Sequence, residues 1–492
     1  MFPYKTSFTL KKNTNQPLYL QLANQFIQYI SEGGLPSGTK LLGTRSLCNL
    51  LNVHRKTVVT CYEELEEQGW VISIPKKGTF VKEDLPILNQ QEFTNLKEER
   101  GTTEGSDFIF YKDPLLTEKK SVNDEGWIKI NDGVSDTRLA PTVELGRIYR
   151  RISARKNIFK DISYDSTYGN ERLREVLVEY LNSSRGLKIT KNNLLITRGS
   201  QMGIWLSAQL LLRKNDIVVV GMTNYSSADI TFMQTRATLK SVLVDAEGIV
   251  TSEIERICKT TSIKAVYITS HHHHPTTVTL SAERRLHLLN LARKYRFAII
   301  EDDYDYDFNY NHAPILPLAS HDDRKNVIYI GSVCKTVAPV FRIGYLIASK
   351  AFVKEASKFR GYVDRQGDAI LELTFAEFIK SGDLDRHIRK ILKIYEERRN
   401  LFCSLLKSEL SHYLSFDVPK GGMAIWVKLN SNFSWEEVKK EGVKHNFSLG
   451  DWKRYDMADK KHNAMRMGFA SYTIEEIHQL IEKLKQIFIQ IK

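Results

Sequence analysis

The chain has 492 residues with 42% hydrophobic and 26% charged side chains, a net charge of +13 and a mean hydropathy of −0.33. That length predicts two or three domains, and no apolar run approaches the ~18 residues of a membrane span. The five cysteines, Cys48, Cys61, Cys258, Cys334 and Cys403, form no CxxC pair, so a reduced, cytoplasmic protein is expected.

Positive charge is concentrated at the N-terminus, where residues 1–82 carry ten Lys or Arg against five Glu and no Asp. Such a density suits contact with a phosphate backbone. Leu18, Leu22, Phe26 and Ile30 recur at helical spacing, and Gly33-Gly34 ends that helix. After the Leu35–Leu42 turn, Thr44 is placed to cap a second helix running from Arg45 to Leu51. A third helix is predicted from about Arg55 to Gln68, ended by Gly69. Trp70–Ile74 and Thr79–Val81 read as two strands joined by a Pro75-Lys76-Lys77-Gly78 turn. Three helices followed by a two-stranded wing make a winged helix-turn-helix over residues 1–82, and double-stranded DNA is the expected partner. Arg45 would grip phosphate. Arg55, Lys56 and Thr57 occupy the first turn of the third helix, the end that reaches base edges, and Lys76 and Lys77 tip the wing.

These residues resemble the GntR family of bacterial regulators. The resemblance rests on Pro36-Ser37, Arg45-Ser46-Leu47, Arg55-Lys56-Thr57-Val58, Tyr62-Glu63-Glu64-Leu65 and Gly78-Thr79-Phe80-Val81, with His54 where the family usually has Ser.

Residues 83–126 lack periodicity and mix polar and charged residues, so a linker is predicted there, followed by a large domain over 127–492. In that domain short apolar strands (Leu194–Thr197, Ile217–Gly221, Ala265–Thr269, Phe297–Ile300, Val327–Ile330, Ile343–Ala348) alternate with helices (Glu171–Asn182, Met202–Leu212, Ala282–Tyr295, Leu371–Lys380). This rhythm predicts an α/β domain with a mainly parallel sheet and ligands at the C-terminal strand ends.

The candidate residues fall at those ends. Gly199, Ser200 and Gln201 open a helix whose backbone N–H groups can hold a phosphate. Ser332 can add a hydroxyl and Arg342 a guanidinium. Asp302 lies thirty-three positions before Lys335 and would meet a pyridinium nitrogen, Tyr304 a phenolic oxygen, and Tyr225 a ring face. Lys335 would form the Schiff base with pyridoxal phosphate (PLP) and shuttle a proton.

The whole chain is similar to the MocR subgroup of GntR regulators, in which a winged helix is fused to a fold-type-I aminotransferase-like domain. The matching residues include Tyr164-x4-Gly169-x3-Leu173-Arg174, Arg198-Gly199-Ser200-Gln201, Glu301-Asp302-Asp303-Tyr304, Lys335-Thr336-x2-Pro339-x2-Arg342-x-Gly344-Tyr345 and Met465-Arg466-x-Gly468-Phe469. The resemblance implies that Lys335 carries PLP, that Asp302 holds its nitrogen and that Arg466 receives the carboxylate of an amino-acid-like ligand. It also implies a homodimer. Three departures stand out: Cys334 replaces a serine, Ser227 stands where γ-aminobutyrate-responsive relatives have an arginine, and His271-His272-His273-His274 fills a loop that is otherwise mixed. Four adjacent imidazoles cannot all face one ion and no carboxylate or Cys spacing accompanies them, so no metal is expected; one imidazole near the cofactor ring is. The expected function is a PLP-dependent regulator that binds an operator and senses an amine, an amino acid or a B6 vitamer. The alternative is an active aminotransferase acting on an amino acid and a 2-oxo acid.

Overall fold

The computed structural model describes residues 2–85, 111–116, 126–310, 315–323, 325–333, 335–456 and 461–491. Most of the predicted linker, residues 83–126, lies outside the described residues, as does Cys334. The chain divides into two compact units, Met1–Tyr111 and Lys112–Lys492.

In the first unit the helices run Leu18–Ser31, Thr44–Leu51 and Arg55–Glu67. Leu22, Phe26 and Ile30 of the first helix pack with Leu47 of the second and Val58, Tyr62 and Leu65 of the third in one apolar core. Thr44 is the first residue of its helix rather than its cap; Gly43 precedes it and no side chain caps that end. Asn52 makes the tight connection between the second and third helices in the left-handed conformation, φ 51°, which a short polar side chain tolerates. His54 caps the third helix, its Nδ1 accepting from the Lys56 backbone N–H at 3.2 Å. The imidazole thus does for the orphan N–H groups what a serine would. Val71–Ile74 pairs antiparallel with Gly78–Val81, with Val71 opposite Val81 and Ile74 opposite Gly78.

The second unit is built on a seven-stranded sheet. Its strands run in the order Leu194–Thr197, Gly344–Ile347, Val327–Ser332, Ala298–Asp303, Ala265–Ile268, Ile217–Gly221 and Thr238–Val242. Every pairing is parallel except the two made by Gly344–Ile347, which runs against both neighbours. Successive residues on the strands enter different apolar cores. Val219, Val266 and Ile299 join one, and Val218, Val220, Tyr267 and Ile300 join the other. Burial on both faces explains why these strands read as continuous apolar runs instead of alternating ones. A third core forms where the antiparallel strands Ala424–Leu429 and Ala464–Gly468 meet the helices Asp383–Leu410 and Ile474–Gln490. Among the described residues no helix is long and apolar enough to cross a membrane.

Candidate functional site

Two parallel strands deliver the chemistry. Ala298–Asp303 ends in three buried acids, Glu301, Asp302 and Asp303, and Val327–Ser332 leads directly to Lys335. Because side chains alternate along a strand, the three acids meet different partners. Glu301 accepts from the Ser270 hydroxyl at 2.6 Å and from the backbone N–H groups of Leu318 and Ala319. Tyr329 donates to Asp303 at 2.6 Å. Asp302 accepts one bond at Oδ2, from the Tyr267 hydroxyl at 2.8 Å, while its Oδ1 is buried with no hydrogen-bond partner. Burial, with Asp303 and Asp305 nearby, pushes Asp302 up to about 7 against the pull of the Tyr267 bond.

Lys335 is half-buried and its Nζ donates to the Gly133 carbonyl at 2.7 Å. Gly133 also approaches Arg466: a Cβ placed there would lie 3.5 Å from Arg466 Nη2 and 3.0 Å from Ala424. Arg466, fully buried, donates through Nε to the Asp132 carbonyl (2.8 Å), through Nη1 to Pro275 O (3.2 Å) and through Nη2 to the Tyr304 hydroxyl (3.3 Å). Tyr304 directs its own proton to the His272 carbonyl at 3.0 Å. Tyr225, at the start of the Ser226–Gln234 helix, meets the His274 ring edge-on at 5.2 Å, and Tyr304 approaches the same ring at 6.3 Å. Lys335, Arg466, Tyr304 and Tyr225 are therefore linked by direct contacts through Gly133 and His274.

Of the residues expected at a phosphate, Gly199 and Arg342 lie against each other. The Ser200–Leu211 helix begins after Gly199, whose φ of 76° and lack of a side chain admit the Arg342 guanidinium; a Cβ would sit 2.7 Å from Arg342 Nη2. Arg342, itself left-handed at φ 52°, donates to the Arg198 carbonyl at 2.7 Å. Ser332 donates to Ile343 O at 3.1 Å, and Gln201 bonds Thr231 Oγ1 at 2.8 Å. A helix N-terminus beside a guanidinium suits a dianionic phosphate.

The histidine run separates by partner. His271 Nδ1 faces Asp303 at 3.1 Å and His272 Nδ1 faces Asp305 at 3.0 Å. For His271, burial works against the charged ring, but Asp303 wins and holds it above its usual value. His273 Nδ1 bonds Thr276 Oγ1 at 2.9 Å, and burial drives this ring down to about 3. The His274 ring contacts the Tyr225 and Tyr304 rings, and burial lowers it to about 4, so it is uncharged at neutral pH. It is therefore the imidazole beside the tyrosines expected at the cofactor ring. Among the described residues no group of three or more His, Cys, Asp or Glu is arranged to hold a metal ion.

Sequence reasoning missed Gly133, Asp132, Tyr267 and Arg454. Asp132 lies 2.6 Å from Arg454 Nη2 and 3.8 Å from His274 Nε2. The one local signal was Asn131-Asp132-Gly133, a turn-forming triplet after a short strand.

In the first unit, Arg45, Arg55 and Lys56 are exposed at the first turns of their helices, Thr57 is half-buried, and Lys76 and Lys77 are exposed at the wing turn.

The donor set fits PLP. Asp302 Oδ1 is an unpaired buried acceptor, as a protonated ring nitrogen requires, and Gly199 leaves room that any larger residue would fill. Comparison with known proteins agrees. Residues 156–484 match the family Aminotransferase class I and II, and residues 18–81 match the bacterial regulatory proteins of the gntR family. The HTH-type transcriptional regulator YdeL of Bacillus subtilis is 26% identical over 490 residues, covering 97% of this chain and 98% of that protein. The probable rhizopine catabolism regulatory protein MocR of Rhizobium meliloti is 24% identical over 490 residues, 98% of this chain and 96% of that protein. Among solved structures, the kynurenine aminotransferase of Pyrococcus horikoshii superposes with a TM-score of 0.69 at 26% identity, over 75% of this chain and 93% of that one. The chain belongs to the aminotransferase class I and II family, carries a GntR-family helix-turn-helix at its N-terminal end as MocR-type regulators do, and is a pyridoxal phosphate protein.

Proposed function

We propose that the chain is a transcriptional regulator whose winged helix binds operator DNA and whose PLP-holding domain senses an amine, an amino acid or a B6 vitamer. The observation that carries this reading is the union of two complete parts in one chain. One is a helix with exposed Arg55 and Lys56 at its first turn; the other is a buried unpaired Asp302 oxygen on the strand that neighbours the one leading to the half-buried Lys335 amine. Relatives that span both parts are named as HTH-type transcriptional regulators, among them YdeL of Bacillus subtilis and NorG of Staphylococcus aureus.

In this reading Lys335 is the covalent anchor, Asp302 keeps the ring nitrogen protonated, and Arg342 with the N–H groups at Ser200 and Gln201 neutralises the phosphate. Gly199 and Ser332 complete that pocket. Tyr225 and Tyr304, which both approach the His274 ring, would help hold the cofactor ring. When bound, the cofactor supplies an electron sink that acidifies the α-carbon of an attached amine. The chain's own part would be to orient that amine: Arg466 would receive the carboxylate, and the Lys335 Nζ would hold or return a proton. Those residues would also serve a transaminase, which keeps amino transfer to a 2-oxo acid as the second reading; the 26% identical kynurenine aminotransferase of Pyrococcus horikoshii is the observation on its side.

A homodimer belongs to the same proposal. Tyr164 (83% exposed) lies in a loop and Tyr362 (95% exposed) in the last turn of the Lys350–Val363 helix, and Arg365 just beyond that helix brings its guanidinium to 5.0 Å from the Tyr164 ring. Phe159, Ile162 and Val363 are exposed too, a concentration of apolar surface typical of a subunit contact.

The test pairs two measurements on the full chain. After PLP loading and borohydride reduction, peptide mapping should find the vitamer on Lys335, and Lys335→Ala should lose both the adduct and the visible absorbance. Promoter-fragment binding that changes with amine addition supports the sensor; steady keto-acid formation with no DNA affinity supports the enzyme instead.

A further inference from the structure

Asp132 is the chain's own carboxylate at the place where a ligand carboxylate is expected. Its backbone carbonyl takes the Nε–H of Arg466, its side chain lies 2.6 Å from Arg454, and its neighbour Gly133 takes the proton of Lys335. Burial works to raise the Asp132 carboxyl, yet His274, Arg454 and Arg466 together hold it well below the usual carboxylate range. The carboxylate is therefore ionised and the Arg454 charge is matched. Both side chains remain about one-third exposed, so the pair borders the open part of the site. Arg454 Nη2 also meets the Tyr455 hydroxyl at 2.6 Å, while its Nε is buried without a partner.

In this cluster the Arg454 guanidinium is held by the Asp132 carboxylate, while Arg466 lies near the charges of both Asp305 and Asp132. Of the five N–H groups on Arg466, three go to neutral oxygens, so its hydrogen bonds are not spent on a carboxylate. The surrounding wall is aromatic. Tyr455 packs edge-on against Trp426 at 5.4 Å and tilted against His274 at 6.0 Å, and Trp426 is the strand partner of Arg466.

We propose that the Asp132–Arg454 ion pair is the specificity determinant of this site: by engaging the second guanidinium it leaves Arg466, whose N–H groups go to neutral oxygens, as the one that takes a carboxylate, so the effector is an amino acid with a single carboxylate and an uncharged side chain. This rests on the sensor reading above and names its ligand class. A second carboxylate would have to displace Asp132 from Arg454 or lie beside it, and like charges at that range repel. An uncharged side chain lies against Tyr455 and Trp426 without that penalty.

The test titrates the PLP-loaded full chain with L-leucine, L-phenylalanine and L-glutamate, following tryptophan fluorescence and the visible band. Wild type is expected to favour the neutral amino acids over glutamate by ~10-fold or more. Asp132→Asn frees Arg454 and should move the ratio toward glutamate by ~10-fold or more. The Asp132→Asn, Arg454→Met double variant removes both charges at once and should return the ratio to wild type. If Asp132→Asn alone fails to fold, the wild-type comparison of leucine with glutamate still decides. Equal wild-type affinity for glutamate and leucine, or an unchanged ratio in folded Asp132→Asn, overturns the inference and leaves the sensor reading standing. A wild-type chain that answers none of the three amino acids also overturns the inference, and the sensor reading falls with it only if amines and B6 vitamers leave promoter binding unmoved as well.

Discussion

Asp302→Asn should change how stability depends on pH in the cofactor-free chain. Burial raises Asp302 from 3.8 to about 7, so the folded chain holds this proton more tightly than the unfolded one. The stability tied to that proton is complete below about pH 4 and is lost progressively as the pH rises to about 7. At about 1.4 kcal/mol per pKa step, the shift corresponds to at most about 4 kcal/mol by pH 8. Asparagine carries no titrating proton, keeps an acceptor for Tyr267 and removes the slope. Urea unfolding of wild type and variant at pH 5 and pH 8, with the large domain followed by tryptophan fluorescence, measures the difference. Wild type is expected to lose more stability than the variant across that interval. PLP should abolish the wild-type loss, since its ring nitrogen partners the ionised carboxylate. Equal pH dependence in the two cofactor-free chains would refute the view that Asp302 is a buried acid held without a charge partner.

Arg55→Ala should weaken binding to the chain's own promoter region by ~1–3 kcal/mol and relax preference at one base pair, measured by competition with single-base variants of the site. Lys77→Ala at the wing should weaken all sequences alike and reduce the salt slope by about 1, read from binding between 50 and 200 mM salt. Gly199→Ala puts a Cβ 2.7 Å from the Arg342 guanidinium on a backbone at φ 76°, so PLP affinity should fall ~10-fold or more, which equilibrium dialysis of the vitamer would detect. Tyr362→Asp at the exposed apolar surface should shift the chain toward monomer in sedimentation, with its circular dichroism unchanged.

Much of the site was legible because its signals are local. The run from Val327 to Lys335, the acids at 301–303 and the Gly199-Ser200 helix start each read as a strand or helix end without knowledge of the rest. The winged helix was legible for the same reason, since helical spacing and turn residues declare themselves within a few positions. Boundaries moved where long-range packing intervened. The strand predicted as Phe297–Ile300 runs Ala298–Asp303 because the parallel pairing to Val327–Ser332 carries it through Asp303. Nothing local in Gly344–Ile347 marks it as antiparallel, because direction is set by the connection between strands rather than by the strand's own residues.

The four histidines show the limit most clearly. By itself the sequence determined that they share one loop and cannot share one ion. Only the tertiary structure distributed them: His271 and His272 to the acids of a neighbouring strand's end, His274 to Asp132 and the tyrosines. It likewise brought Gly133 to Lys335, two hundred and two positions away, and Arg454 to Asp132. The physical reason is that a side chain's chemistry is written in its type, whereas its charge state and partner depend on what is buried against it, and burial is a property of the assembled fold.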